Sequence, residues 1–292
     1  MPIEGPRGSP ADDLADALAA TPAVAGTADR SPAENHFRRN VFLTWAALFA
    51  LLAGLCYGLH LDFAYVAQKL PFLLGLKLAP DGFIQGAALT IFVTACSMFF
   101  ALLVALLTAL GRLSRNPVAF AVATFYASLF RGTPLLVQVL IIYLALPQIG
   151  IVLGALSSGL IALSLNYGAY LAETIRSGVM AVPAGQREAA RALALPRWVI
   201  AWKVIAPQAL RLIIPPAGAL FVSMLKDSSL VSLLGLWELN FLAQSYARAS
   251  YHYMEMLITA ALIYWALSIG FELVQFRLER RFGKGVATWG RH

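Results

Sequence analysis

Long apolar runs separated by short charged stretches set the pattern of the chain. They occupy residues 41–59, 83–110, 117–146, 157–175, 207–226 and 256–273. A helix rises 1.5 Å per residue, so ~20 apolar residues cross a bilayer, and each run is close to that length or beyond it. The run 83–110 carries no charge at all and is the plainest of the six. The run 117–146 is interrupted by Arg131-Gly132-Thr133-Pro134. Pro134 lacks a backbone donor, so a kink is expected there at membrane depth. Only 14 residues separate Arg211 from Lys226, and Pro215-Pro216 falls among them. That helix must start earlier, near Pro207, or be discontinuous, and short proline-broken segments mark translocation sites in transporters.

Polar residues inside the runs are the first candidates for function. Asn166, Tyr170 and Glu173 fall at i, i+4 and i+7, along one helical face. Polar groups facing lipid are disfavoured, so that face is expected to point into a bundle. Arg131, at the interruption, and Lys226-Asp227, at a run end, carry the same cost. Two plainer readings stand beside this one. Arg131 can snorkel from a structural kink, and Glu173 can simply pair with Arg176 near the interface.

Composition agrees with a membrane protein. Hydrophobic residues make up 60% of the chain and charged residues 13%, against about a quarter charged in a soluble domain. The net charge of +7 does not point to nucleic acid, because the basic residues cluster at run ends, as a membrane orientation signal does. Cys56 and Cys96 lie within apolar runs and form no disulfide or metal pattern, and the four histidines are scattered. Arg38-Arg39, Arg112 with Arg115, the basic stretch after Pro183 and the cluster from Arg277 to Lys284 all belong in the cytoplasm by the positive-inside rule. That placement gives an all-α membrane protein with six predicted transmembrane helices and both termini cytoplasmic. Residues 1–40, rich in Ala, Pro, Gly and Asp, read as a disordered cytoplasmic tail.

The stretch 184–211 is the one extended polar interruption. It holds Arg187, Arg191, Arg197, Lys203 and Arg211 around a single acid, Glu188. Ala and Leu from Glu188 to Leu195 favour a short helix, Pro196 stops or bends it, and a second helix runs from Trp198 to Ala206. Composition alone allows an ordinary cytoplasmic loop. The residue order goes further. Glu188-Ala189-Ala190 followed by Ile205-x-Pro207 resembles the EAA loop of permease subunits of bacterial ABC importers. Ala194 stands where that family usually has Gly, and Ala206 where it usually has Leu. Alanine tolerates a positive φ poorly, so the bend is expected from Pro196. The segments from Phe130 to Gln138 and from Leu165 to Arg176 resemble signatures of the polar-amino-acid branch of these permeases. Lys226-Asp227-Ser228-Ser229-Leu230 resembles a third, with Ser228 for its threonine.

The resemblance implies a five-helix permease core over residues 83–281, with residues 41–60 as an additional N-terminal transmembrane helix. It implies ATPase coupling through Glu188, Ala189, Ala190, Ala194 and Pro207. A substrate path or gate would be formed by Arg131, Thr133, Asn166, Tyr170, Glu173, Lys226, Asp227 and Ser228. The implied partners are two copies of a cytoplasmic ABC ATPase, a second permease subunit, an external amino-acid-binding protein and membrane lipid. No Gly-x-x-x-x-Gly-Lys-Ser/Thr loop occurs in the chain, so ATP use would rest with a partner, and no cofactor is expected. The competing reading is an ion-gradient-driven secondary transporter with Arg131 and Glu173 in a relay. It would require internal repeats, which the two halves do not display.

Overall fold

The computed structural model describes residues 32–58, 61–79 and 82–282. Among the described residues the regular elements are all helices, without strands, apart from one isolated bridge between Gly86 and Glu238. The chain divides into a unit ending at Leu61 and a unit running from Asp62 onward. In the first, α1 (Pro32–Gly58) begins with polar residues ahead of the apolar run expected from position 41. The remainder of the expected N-terminal tail lies outside the described residues.

The second unit contains the rest. The connection expected between the first two runs holds a helix, α2 (Phe63–Leu73), whose first turn is capped by Asp62 accepting from the Tyr65 N–H. It continues with α3 (Gly86–Leu113), α4 (Pro117–Gly132) and α5 (Leu135–Leu140), the last extended by π and 3-10 turns to Ile149. Next come α6 (Ala155–Met180) and the elbow helix α7 (Ala184–Ala192). A turn at Arg197–Val199 and a π-helical stretch Ile200–Ile205 lead without a break into α8 (Ala206–Asp227). After a 3-10 stretch, Ser228–Leu234, come α9 (Leu239–Ser250) and α10 (Tyr253–Phe282). By length and composition three stretches can each cross a membrane: Gly86–Leu113, Arg197–Leu234 and Tyr253–Arg280. A fourth crossing is available if α4 and the helix after it form one broken span.

That broken span bends by 103°, a full break where the sequence suggested a kink. Thr133, forced out of the α region by the following proline, is extended at φ −113° and ψ 144°. Pro215 and Pro216, by contrast, sit inside a continuous α8, which starts at Ala206 as the short apolar run demanded.

Helix packing depends on small residues. In lipid there is no hydrophobic drive between helices, so close approach must supply dispersion contacts. Along α3, Thr90, Thr94, Ser97, Ala101 and Ala105 are all fully buried, at helical spacing. Of these, Ala101 and Ala105 join Leu163, Tyr167 and Leu171 of α6, and Met224 and Val231, in the main core. Phe99, Leu103, Leu107 and Leu110 stay exposed on the other side of α3, as lipid contact requires. A second core joins α2, α9 and α10 through Leu73, Leu239, Leu242 and Met256.

Glu238 ties that second core to α3. It caps α9 through the Phe241 N–H at 2.7 Å and accepts from the Tyr264 hydroxyl at 2.7 Å and from Thr90 Oγ1 at 3.4 Å. Burial pushes its carboxyl up to about 7 although these hydrogen bonds pull the other way. Beside it the Gly86 N–H donates to the Trp237 carbonyl at 2.9 Å. Gly86 has φ +62°, and a Cβ there would lie 2.4 Å from the Leu73 carbonyl oxygen, so only glycine fits this junction.

The elbow corrects one expectation. The bend after α7 is made by Ala194 itself, in the left-handed region at φ +52°. The Leu195 N–H bonds the Ala190 carbonyl at 3.2 Å and the Ala194 N–H bonds the Arg191 carbonyl at 2.9 Å. That pair of bonds is a complete Schellman motif with alanine where glycine is favoured. The two hydrogen bonds outweigh the Cβ strain of roughly 1 kcal/mol at this position. The expected short helix is therefore shifted, starting at Ala184 after Pro183. Ala194→Gly is predicted to raise unfolding stability by about 0.5–1 kcal/mol, the strain released less the added freedom of the unfolded chain. Thermal unfolding of the purified protein measures this, and a loss of stability would mean that position 194 is not left-handed.

Candidate functional site at the helix break

Pro134 leaves the Phe130 carbonyl without the i+4 donor that a continuous helix would provide. Two side-chain amides take that donor's place. Gln138 Nε2 donates to the Phe130 carbonyl at 2.9 Å, and Asn166 Nδ2, from α6, donates to it at 3.0 Å. Gln138 also donates to Thr133 Oγ1 at 2.7 Å and its Oε1 accepts from Asn166 at 3.2 Å. The break is thus closed by a polar network, as non-helical backbone at membrane depth requires. Both amides are buried.

One turn and two turns further along α6 stand Tyr170 and Glu173. Glu173 is the meeting point of three guanidinium groups. Arg131, from the end of α4, places Nη1 3.2 Å from Oε2, and Arg112, from the end of α3, pairs with the same oxygen. Arg176 holds Oε1 through Nη2 at 2.5 Å and Nε at 3.2 Å. Hydrogen bonds to charged groups contribute ~1.5–3 kcal/mol each, which offsets the cost of holding these four charges near the ends of spanning helices. Arg131 also lies over the Tyr170 ring, 5.6 Å from its centroid. Its side chain is the most exposed of the three arginines, at 40%, and it faces open space.

That space consists of two cavities that share Arg131, Tyr170, Leu220 and Ser223. One, of about 540 Å³, is bounded by Glu173 and the α8 residues Leu212 and Pro216. The other, of about 460 Å³, is bounded by Thr133, Asn166 and Asp227. Asp227 accepts from the Tyr167 hydroxyl at 2.7 Å, which aims it from the end of α8 toward α6. The cavities thus carry a guanidinium surplus at one side and a carboxylate at the other.

Of the expected path residues, Arg131, Thr133, Asn166, Tyr170, Glu173 and Asp227 come together here. Lys226 and Ser228 do not. Lys226 is exposed, and Ser228 is buried with its hydroxyl on the Leu225 carbonyl of its own chain turn. Both plainer readings are partly met, since Arg176 does pair with Glu173 and Arg131 does stand at a structural break. The sequence reading missed Arg112, taken there as an orientation charge, as well as Gln138 and Tyr167. Gln138 was findable, because it lies four residues after Pro134 and can reach back to the carbonyls the proline orphans.

On the elbow, Ala190 is buried, while Glu188, Ala189, Ala194 and Pro207 are exposed. Among the described residues no ion pair involves Glu188. A lone acid on an otherwise basic helix is left available for an external contact. Among the described residues no His, Cys, Asp and Glu group could hold a metal ion.

Residues 101–284 match the family of binding-protein-dependent transport system inner membrane components. The chain is 37% identical over 199 residues to a putative glutamine transport system permease protein of Rickettsia conorii, covering 68% of this chain and 91% of the relative. It is 40% identical over 203 residues to an L-cystine transport system permease protein of Bacillus subtilis, covering 69% and 87%. Among solved structures, the crystal structure of an amino acid ABC transporter with histidines superposes with a TM-score of 0.69 at 35% identity. That superposition covers 76% of this chain and 99% of the solved one. The broken helix, the exposed elbow and these likenesses lead to one conclusion: the chain belongs to the binding-protein-dependent transport system inner membrane components, as an ABC transporter permease subunit.

Proposed function

We propose that this permease forms, with a second permease subunit, the translocation path of an ATP-driven importer for a polar amino acid. An external binding protein delivers the substrate, and two cytoplasmic ATPase subunits close on ATP. The observation that carries the reading is the pair of joined cavities bounded by Arg131 on one side and Asp227 on the other. An amino-acid zwitterion carries both charge signs. Its carboxylate suits the guanidinium surplus around Glu173, and its ammonium suits Asp227. A site bounded by few charges on an open cavity holds the substrate weakly enough to release it.

The relatives support the substrate class, since those named above are a putative glutamine and an L-cystine transport system permease protein, and a further one, an arginine transport system permease protein of Bacillus subtilis, is 33% identical over 224 residues. No Gly-x-x-x-x-Gly-Lys-Ser/Thr loop occurs in this sequence, which supports ATP hydrolysis by a partner. Six crossings with both termini cytoplasmic complete the reading, with residues 83–281 as the core and residues 41–60 as a helix added to it. In this arrangement the elbow, residues 184–211, is a lever. Rigid α7 receives the ATPase motion, and the continuous helix from Arg197 to Asp227 carries it to Asp227 at the cavity. The bundle then alternates between two conformations of similar free energy.

Uptake of labelled amino acids into vesicles holding the assembled complex and its binding protein tests this directly. Uptake is expected to require ATP and to persist when ion gradients are collapsed. Arg131→Gln and Asp227→Asn are each expected to reduce it on the order of ten- to hundred-fold, the loss of one hydrogen bond to a charged group. Uptake driven by an ion gradient without ATP would establish the secondary-transporter reading instead.

Coupling is tested separately at the elbow. Glu188→Lys removes its only acid and is expected to uncouple ATP hydrolysis from uptake while membrane insertion is unchanged. A cysteine at exposed Ala189 is expected to crosslink to the ATPase in the otherwise unaltered protein. Full uptake in Glu188→Lys, together with no crosslink from position 189, would remove the elbow from coupling.

A further inference from the structure

A further polar cavity, of about 660 Å³, lies at the elbow, and Glu188 is not among its lining residues. Four arginines line it. Arg187 and Arg191 come from α7, Arg197 from the turn after Pro196, and Arg115 from the α3–α4 connection. Among the described residues none of the four is ion-paired with a carboxylate. Arg187 donates Nη2 to the Val179 carbonyl at 2.5 Å, which fixes the side chain, and its buried Nε has no hydrogen-bond partner. Four arginines around one cavity, one of them with an unmet buried donor, suit an anion, and their planar forks match phosphate oxygens in particular.

The rest of the lining says where that phosphate comes from. Leu195, Ile200 and Ile205, with Ala194 and Ala201, form the remainder of the wall, an apolar surface of no use to a free ion. Trp198 and Trp202, one turn apart, stand 65% and 73% exposed on the neighbouring face of the same helix. Tryptophan beside arginine at the end of a spanning helix is the signature of the headgroup level of a bilayer. Basic pockets at that level hold anionic lipid headgroups.

We propose that this cavity binds the phosphate of an anionic glycerophospholipid, of the phosphatidylglycerol or cardiolipin class, with its acyl portion against Leu195 and Ile200. The headgroup bridges Arg115 to the arginines of the elbow, so it joins two segments that are far apart in sequence. Lipid binding thereby fixes the base of the lever, and the elbow moves against the α3–α4 connection only as far as that bridge allows. The proposal rests on the reading above for the elbow's cytoplasmic side and on Trp198 and Trp202 for its nearness to the headgroups, and lipid retention is measured independently of transport.

The test uses the assembled complex in nanodiscs of phosphatidylcholine, with and without phosphatidylglycerol, followed by native mass spectrometry of the lipid that stays bound. Wild type is expected to retain phosphatidylglycerol in preference to phosphatidylcholine. Each arginine replaced, in Arg115→Gln, Arg191→Gln and the double variant, is expected to weaken retention about five-fold. The charge-preserving Arg191→Lys, which folds with the same net charge, is expected to keep most of it. Inorganic phosphate is expected not to displace the lipid. Equal retention in wild type and the double variant, with both complexes intact, would overturn the proposal. Displacement by inorganic phosphate alone would make this a free-anion site, and protection of the arginines from chemical modification only when the ATPase is present would make it a protein contact. Either result would overturn the lipid assignment. Failure of ATP-driven uptake with lipid retention intact would count against the transport reading alone.

Discussion

Among the described residues Glu173 is the one carboxylate that pairs with Arg112, Arg131 and Arg176, and the ends of three helices meet at that point. Arg112 brings the end of α3, Arg131 the end of α4, and Arg176 the last turns of α6 itself. Each arginine alone would be costly at this depth, and so would the acid. Held together they are paired and hydrogen-bonded, with a surplus of positive charge that faces the cavities through Arg131. Removing one partner of such a cluster leaves the others uncompensated, so it constrains where three helices end. Structure and proposed function therefore share the same charges.

The break after Gly132 depends on the same neighbourhood. Proline ends α4, and the carbonyl it orphans is taken up by Gln138 and Asn166. Asn166 lies on the face of α6 that also carries Tyr170 and Glu173, so a single helical face caps the break and supplies the charged cluster. Close approach of α6 to its neighbours makes this possible. A Cβ at Gly168 would meet the Tyr126 hydroxyl at 2.9 Å and Val104 at 3.1 Å. The small-residue stripe of α3 serves the same end.

Much of this was legible in the sequence, and the exceptions have physical causes. Apolar runs located the long helices, because length and hydropathy report directly on lipid. The i, i+4, i+7 spacing of Asn166, Tyr170 and Glu173 put those residues on one face, and all three do line the cavity region. The partners were harder. Arg112 looks like any basic residue flanking a span, and only the packing of α3 on α6 turns it toward Glu173. Glu238 looks like a loop acid, yet it is fully buried, because tertiary contacts with Thr90 and Tyr264 supply what local sequence does not. Ala194 reverses a propensity argument. Alanine disfavours a positive φ, but two backbone hydrogen bonds close the turn regardless. The severity of the break at Pro134 was also hidden, since a proline signals a bend and the rest of the fold decides how sharp it is.

The central claim, that Glu173 is the common partner of three arginines, is tested most directly by comparing single and double neutralisations in thermal unfolding of the purified complex. If the claim holds, Glu173→Gln lowers the unfolding temperature more than Arg112→Gln, Arg131→Gln or Arg176→Gln alone. Adding Arg176→Gln to Glu173→Gln then costs little or restores stability, because it removes a guanidinium already left without its acid. Strictly additive losses, with Glu173→Gln no worse than a single arginine variant, would contradict it.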